Sequence, residues 1–188
     1  MVSVKRLDPG SLRVLAQPMR VRIVGSLRAE GPATATLLGQ RLGESSGLTS
    51  YHLRVLAEHG FVEDAPDHPG NGRERWWRAA QEMTSWRPAD AGEDPVSRAA
   101  EEWLTGYTAR RGMAWLDEWL HRRPDADPEW REVSETNDYF FDLSPNELRE
   151  LLAELDAVVR RRLDRPAVDD EAETGRITVR MLLSAFPA

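Results

Sequence analysis

The tightest constraint in the sequence is a pair of short helical patterns joined by a turn of only a few residues. Thr34 reads as an N-cap. Ala35, Leu38 and Leu42 line one side of the helix it opens. Gly43 is placed to end that helix, because glycine enters the left-handed conformation of a helix C-terminus without steric cost. Glu44-Ser45-Ser46-Gly47 then reads as a turn, a further helix runs to about His59, and Gly60 stops it. Two short helices so closely joined form a helix-turn-helix. Upstream, Met19, Ile23 and Leu27 mark one face of a helical region from about Ser11 to Ala29. Pro18 separates a short leading turn from the main helix, and Gly31-Pro32 ends it.

Downstream, Phe61-Val62-Glu63-Asp64 and Arg73-Glu74-Arg75-Trp76-Trp77-Arg78 flank a segment rich in Pro, Gly, Asp and Asn. This reads as strand, long tip, strand: a β-hairpin set directly behind a helix-turn-helix, the position of a wing. Alternation puts Arg73, Arg75 and Trp77 on one face and Glu74, Trp76 and Arg78 on the other, with at least one tryptophan in the core.

The net charge is −7, yet it is unevenly spread. Residues 1–80 carry 11 Lys and Arg against 8 Asp and Glu, whereas residues 81–188 carry 14 against 24. The basic part can meet phosphate while the acidic part faces elsewhere. There is no cysteine, which excludes disulfides and thiolate ligation and is compatible with a reducing cytoplasm. No apolar run is long enough to cross a bilayer, and the first ten residues do not read as a signal peptide. The expectation is a cytoplasmic protein with no membrane partner.

Pro, Gly, Asp and Ala concentrate between Ser85 and Pro95. The expected organisation is a winged helix-turn-helix domain over 1–82, a linker over 83–95 and a C-terminal helical α+β region over 96–188. That region reads as a long helix from Val96 to Arg122, a looser stretch with Pro124 and Pro128, and a strand within Val133–Leu143. A helix opened by the capping box Ser144-Pro145-Asn146-Glu147 follows, then an acidic loop from Val168 to Thr174 and a terminal strand over Ile177–Leu183. The expected class is therefore mostly α with a small β component.

Leu15-Ala16-Gln17-Pro18-Met19-Arg20, Thr34 to Gly43, Ser50 to Leu56, Gly60-Phe61-Val62 and Gly72 to Trp77 together resemble the ArsR-like winged helix-turn-helix regulators. The nearer likeness is to a longer, metal-independent branch with a C-terminal extension. The resemblance covers about residues 11–80. It implies a homodimer that binds operator DNA and usually represses. Founding members of the family sense metals, but here the corresponding helix reads Leu37-Leu38-Gly39-Gln40-Arg41-Leu42, without a ligand. His52, His59, His68 and His121 show no metal-ligand spacing either. No metal and no cofactor are expected.

At 100° per residue, Leu48, His52, Leu53, Val55 and Leu56 share the inner arc of the last helix, and Thr49 also faces inward. Ser46, Gly47, Ser50, Tyr51, Arg54 and Glu58 face out, as the polar side of a recognition helix does in the major groove. Candidate DNA contacts are Ser46, Ser50, Tyr51 and Arg54 on that helix and Arg73 and Arg75 on the wing. Thr34 joins them as a cap that can approach phosphate. His52 is expected to be packed and hydrogen-bonded to backbone, and Arg73 and Arg75 have an alternative role in an exposed salt-bridge ladder with Glu74 or Asp64.

The helix from Val96 carries Trp103, Trp115 and Trp119 and is apolar nearly all round, so burial on several sides is expected, including against a twofold mate. With Tyr107 and Phe140, these tryptophans are candidates for a site that takes a flat or cationic organic effector. Catalytic motifs are absent. Glu101 and Glu102 diverge on a helix, and Asp117 and Glu118 lie roughly 20 Å further along it at about 1.5 Å per residue. The expected function is a sequence-specific transcriptional regulator, a homodimeric repressor of a pseudo-palindromic operator. The alternative is a winged helix that serves as a protein-interaction module.

Overall fold

The computed structural model describes residues 3–66, 74–164 and 177–187. The expected hairpin tip with Arg73 and the acidic loop at 168–174 lie outside the described residues. The chain divides into two compact units, Val2–Thr108 and Ala109–Ala188.

In the first unit, each early helix begins where a side-chain oxygen takes up a free N–H. Strand β1 (Val4–Arg6) leads to α1 (Pro9–Leu15), capped by Asp8, whose carboxylate accepts from Ser11 N at 2.7 Å. Helix α2 (Pro18–Glu30) opens with Pro18 at its first position, and the Gln17 side chain accepts from Arg20 N at 2.9 Å. Gly31 follows with φ of 80°, a value that favours glycine, and ends α2. Strand β2 (Ala33–Thr34), α3 (Ala35–Leu42), α4 (Ser46–Glu58), β3 (Val62–Asp64), β4 (Trp76–Ala79) and β5 (Met83–Ser85) complete the domain's inventory.

The wing strands β3 and β4 pair antiparallel, with Glu63 opposite Arg78 and Asp64 opposite Trp77. The two-residue β2 adds to the other edge of β4, with Thr34 opposite Trp76. Strands β1 and β5 pair in parallel, Val4 opposite Met83, and bring Leu7 into the core. The stretch 83–95 thus carries β5, followed by a 3-10 turn at Pro88–Ala91. Leu12, Ile23, Leu38, Leu53, Leu56 and Phe61 are fully buried and form the centre of the core, and Trp77 closes it from the wing. Arg28 lies among these elements, donating to Gln81 O at 2.8 Å and to Thr84 Oγ1 at 2.6 Å. Burial lowers its pKa to about 10, and the charge of Glu82 opposes the shift.

Helix α5 (Pro95–Arg122) contributes to both units. Within the single chain, Ser97, Glu101 and Leu104 are the residues buried on it. Glu102, Arg110, Arg111, Asp117 and Glu118 interrupt its apolar positions, and Met113 and Leu120 are exposed. In its first part, Trp86 Nε1 donates to Thr105 Oγ1 at 2.8 Å, and that hydroxyl donates to buried Glu101 at 2.7 Å.

The second unit holds α6 (Pro128–Val133) and α7 (Pro145–Leu163). The capping box that opens α7 forms as expected: Glu147 N donates to Ser144 Oγ at 3.3 Å and Ser144 N to the Glu147 carboxylate at 2.7 Å. The strands expected within Val133–Leu143 and at Ile177–Leu183 do not form; both segments lack a ladder partner among the described residues. Their apolar alternation signals a face in need of cover, but a strand also needs a neighbouring backbone to bond with, and alternation carries no information about one.

Candidate nucleic-acid interface

The helix-turn-helix is built around one glycine that makes no turn itself. A Cβ on Gly39, inside α3, would stand 2.7 Å from Glu44 O and 3.3 Å from Ser46 N. The turn can cross α3 this closely only because position 39 has no side chain. Gly43, with φ of 70°, reverses the chain, and Glu44 N donates back to Gly39 O at 2.8 Å. Arg22 of α2 secures the same end, donating to Leu42 O at 2.5 Å and lying 3.5 Å from Glu44.

Helix α4 begins one turn position earlier than the sequence suggests. Ser45 is its cap, accepting from Leu48 N at 3.2 Å, so Ser46 and Gly47 belong to the helix. Thr49 is fully buried, and its hydroxyl donates to Ala35 O at 2.7 Å, which ties α4 to the start of α3. Thr49, His52, Leu53 and Leu56 form the buried face. Leu48, expected on that inner arc, is 39% exposed, because the first turn of α4 projects past the core.

The opposite face carries Ser46 and Arg54, both exposed, half-buried Ser50, and Tyr51 at 52% exposure. Arg54 makes no ion pair among the described residues; its Nε donates to Ser50 O at 3.3 Å within the helix. The result is a small polar surface with a free guanidinium, on a helix whose other side is locked in the core. Such a surface can present hydrogen-bond donors and acceptors to base edges and phosphates.

The other candidates are placed differently. Thr34 is buried, and its hydroxyl accepts from Leu37 N at 3.2 Å. The exposed hydroxyl at the start of α3 is that of Thr36, 3.4 Å from the Glu74 carboxylate of the wing; a threonine in the first helical turn was its only signal in the sequence. Arg75 pairs with Asp64 through both guanidinium and carboxylate forks, with one contact at 3.0 Å, and its Cζ lies 3.9 Å from the Trp77 ring centroid. The hydrogen bond from Arg75 lowers the Asp64 pKa, and the same bond raises that of Arg75. Arg78 pairs with Glu63 at 2.8 Å, completing a ladder on the wing.

His52 is packed as expected, but its Nδ1 is buried without a hydrogen-bond partner among the described residues, as is Nε of Arg20. Burial first, then the Arg20 charge, lower the His52 pKa below its ordinary 6.5, while Glu44 opposes the shift. The unfolded chain therefore binds a proton near pH 6.5 that the folded domain resists. The stability this group contributes is complete above pH 6.5 and declines as pH falls toward the folded-state value. Thermal unfolding at pH 7.5 and 5.5 is expected to show a lower Tm at 5.5, and His52→Asn is expected to flatten that difference. An equal slope in the variant removes His52 as its source.

The aromatic candidates fall in both units. Trp103 and Tyr107 stack at 4.9 Å between centroids in the first. In the second, Trp115 carries the guanidiniums of Arg111 at 5.1 Å and Arg180 at 4.2 Å, Trp119 carries that of Arg122 at 5.4 Å, and Phe140 is 82% exposed.

Residues 15–65 match a family model described as a helix-turn-helix domain. No curated protein sequence matches the chain. Among solved structures, it is similar to the transcriptional repressor BigR from Xylella fastidiosa, at 23% identity over 53% of this chain and 81% of that one, with a TM-score of 0.32. It is also similar to a MarR family regulator from Neisseria meningitidis, at 14% identity over 77% and 75% of the two chains, with a TM-score of 0.32. A transcriptional regulator from Thermotoga maritima is similar at 16% identity over 80% of each chain, with a TM-score of 0.33. The fold is a winged helix-turn-helix followed by a mostly helical C-terminal region, and the helix-turn-helix match supports a DNA-binding regulator.

Proposed function

We propose that this chain is a sequence-specific DNA-binding transcriptional regulator of ArsR-like type. In this reading it is a cytoplasmic homodimer that represses from a pseudo-palindromic operator. The observation that carries the reading is the exposed face of α4: Ser46, Ser50, Tyr51 and an Arg54 without an ion-pair partner among the described residues, on a helix held from behind by Thr49, Leu53 and Leu56. The α4 face reads bases, and Thr36 and the wing arginines meet the backbone. A flat organic effector on the aromatic pair Trp103 and Tyr107 is the subsidiary part of the proposal; their stacked and partly exposed rings support it.

The test is fluorescence anisotropy with duplex DNA from upstream of the chain's own gene and with an unrelated duplex, across a salt series. Tight, saturable binding to the upstream duplex that weakens steeply with salt is expected. Absence of binding to every duplex at low salt overturns the reading and points to a protein-interaction module.

The same assay tests the wing. Asp64→Asn releases Arg75 from its carboxylate and removes a negative charge from the DNA-facing edge. Affinity is expected to rise a few-fold, and the salt dependence to steepen by about one phosphate contact. Unchanged affinity and slope remove Arg75 from the interface.

A further inference from the structure

The second wing strand returns to the helix-turn-helix at the start of α3. β2 and β4 pair with Ala33 opposite Trp77 and Thr34 opposite Trp76. Continued two residues past the ladder, that antiparallel register sets Thr36 opposite Glu74. The side chains meet there, the Thr36 hydroxyl donating to the Glu74 carboxylate at 3.4 Å, and both residues are exposed. Ala35, next to Thr36, accepts through its carbonyl from Thr49 of α4 at 2.7 Å. The start of α3, and Glu74 with it, is thus tied to the first half of α4, where Ser46 is open to solvent.

Glu74 is also the carboxylate of the wing that no arginine neutralises among the described residues: Asp64 is bound to Arg75, and Glu63 to Arg78. Over residues 61–79 the sequence holds Glu63, Asp64, Asp67 and Glu74 against Arg73, Arg75 and Arg78. Such a wing has no net positive charge with which to draw phosphate.

An ionised carboxylate only accepts hydrogen bonds. Phosphate oxygens are acceptors too, and anionic. The donors that a duplex opens to a side chain are exocyclic base amines: N4 of cytosine and N6 of adenine in the major groove, N2 of guanine in the minor groove. A carboxylate on this edge is repelled by any backbone and satisfied only by a base. Sequence-neutral binding rests on phosphate, so the group that opposes it can favour one sequence.

We propose that Glu74 is a specificity-determining residue. On binding, the Thr36–Glu74 contact opens, the Thr36 hydroxyl turns to phosphate, and the Glu74 carboxylate accepts from an exocyclic base amine. This deepens the DNA-binding reading above and rests on it. A wrong base leaves the carboxylate among acceptors, which adds a penalty to the lost contact.

The test compares Glu74→Ala and Glu74→Gln with wild type on the upstream duplex and the unrelated one, by anisotropy across a salt series. Glu74 is exposed, so unchanged thermal unfolding is expected in both variants. Glu74→Ala is expected to shift the two affinities in opposite directions. On the upstream duplex it binds about 10-fold more weakly, the size of one base-edge contact. On the unrelated duplex it binds a few-fold more tightly, with a steeper salt dependence. Glu74→Gln keeps an acceptor without the charge, so it recovers most of the upstream affinity and stays tighter on the unrelated duplex. Base-pair substitution along the upstream duplex should find one pair whose change weakens wild type and leaves Glu74→Ala unaffected. Loss on replacing guanine by inosine assigns the minor-groove amine, and retention assigns a major-groove one. If Glu74→Ala moves both affinities in the same direction, or neither, the assignment is overturned while the DNA-binding reading stands. A wild type that binds no duplex overturns both.

Discussion

Ser50→Ala/Arg54→Ala is expected to bind its specific duplex about 10- to 100-fold more weakly than wild type while keeping its fold. A side-chain contact to a base edge is worth about 1–3 kcal/mol, and 1.4 kcal/mol corresponds to a factor of ten. Both residues lie on the open side of α4, so truncating them leaves the buried face of Thr49, Leu53 and Leu56 intact. Arg54 has no carboxylate partner among the described residues, so its removal orphans no buried charge there. Affinity for an unrelated duplex should fall much less, by the share of about one phosphate contact. Glu58→Ala, on the same helix and exposed, is the control and is expected to retain wild-type binding. If the double variant binds the specific duplex as wild type does, α4 is not the reading helix.

Gly39→Ala is expected to lose about 1–3 kcal/mol of stability, the usual range for forcing extra atoms into a packed site. In an exposed helix, the same change would stabilise by close to 1 kcal/mol. The sign reverses here because the added methyl meets backbone, Glu44 O and Ser46 N, rather than the movable end of a side chain. Relief requires the turn to lift away from α3, which would stretch the Thr49 hydrogen bond to Ala35 O. Chemical denaturation should show the loss, and DNA affinity should fall with it because α4 tilts. Gly25→Ala, with open space around its Cβ and an ordinary helical backbone, is the control and should be neutral or stabilising. Equal stability of the two variants would mean that the close crossing does not constrain the motif.

Much of this was legible from residues whose role is local. Gly43, Ser144 with Glu147, and Pro18 each act within a few positions, and each forms what its neighbours require. The inner face of α4 was legible because Leu53 and Leu56 recur at helical spacing and are buried. What escaped were features set by distant partners. Strands β1 and β5 are three residues each, with Lys5, Arg6, Thr84 and Ser85 among their six, and neither alternates clearly enough to announce a strand. Strand β2 is two residues long and exists because β4 offers it an edge. Whether Arg75 would meet Asp64 or point outward depended on the register of β3 against β4, which alternation within one strand does not contain. At Ile177–Leu183 the apolar pattern was read as a terminal strand, and no strand forms there, because the neighbouring backbone that a ladder needs could not be read from the chain.

The parallel pairing of β1 with β5 also bears on how the domain is assembled over time. Val4 meets Met83 across 79 positions, whereas α3, the turn and α4 settle among residues less than 30 apart. Contacts between distant positions carry a larger loop-closure cost and form slowly, and local helical ones form fast. On a ribosome, then, the reading helix and its scaffold can condense while the first strand still waits, with Leu7 beside it, for a partner that has not yet been synthesised. Two strands of three residues each share few ladder hydrogen bonds, so native-state hydrogen exchange should find Val4–Arg6 and Met83–Ser85 opening together, ahead of α4.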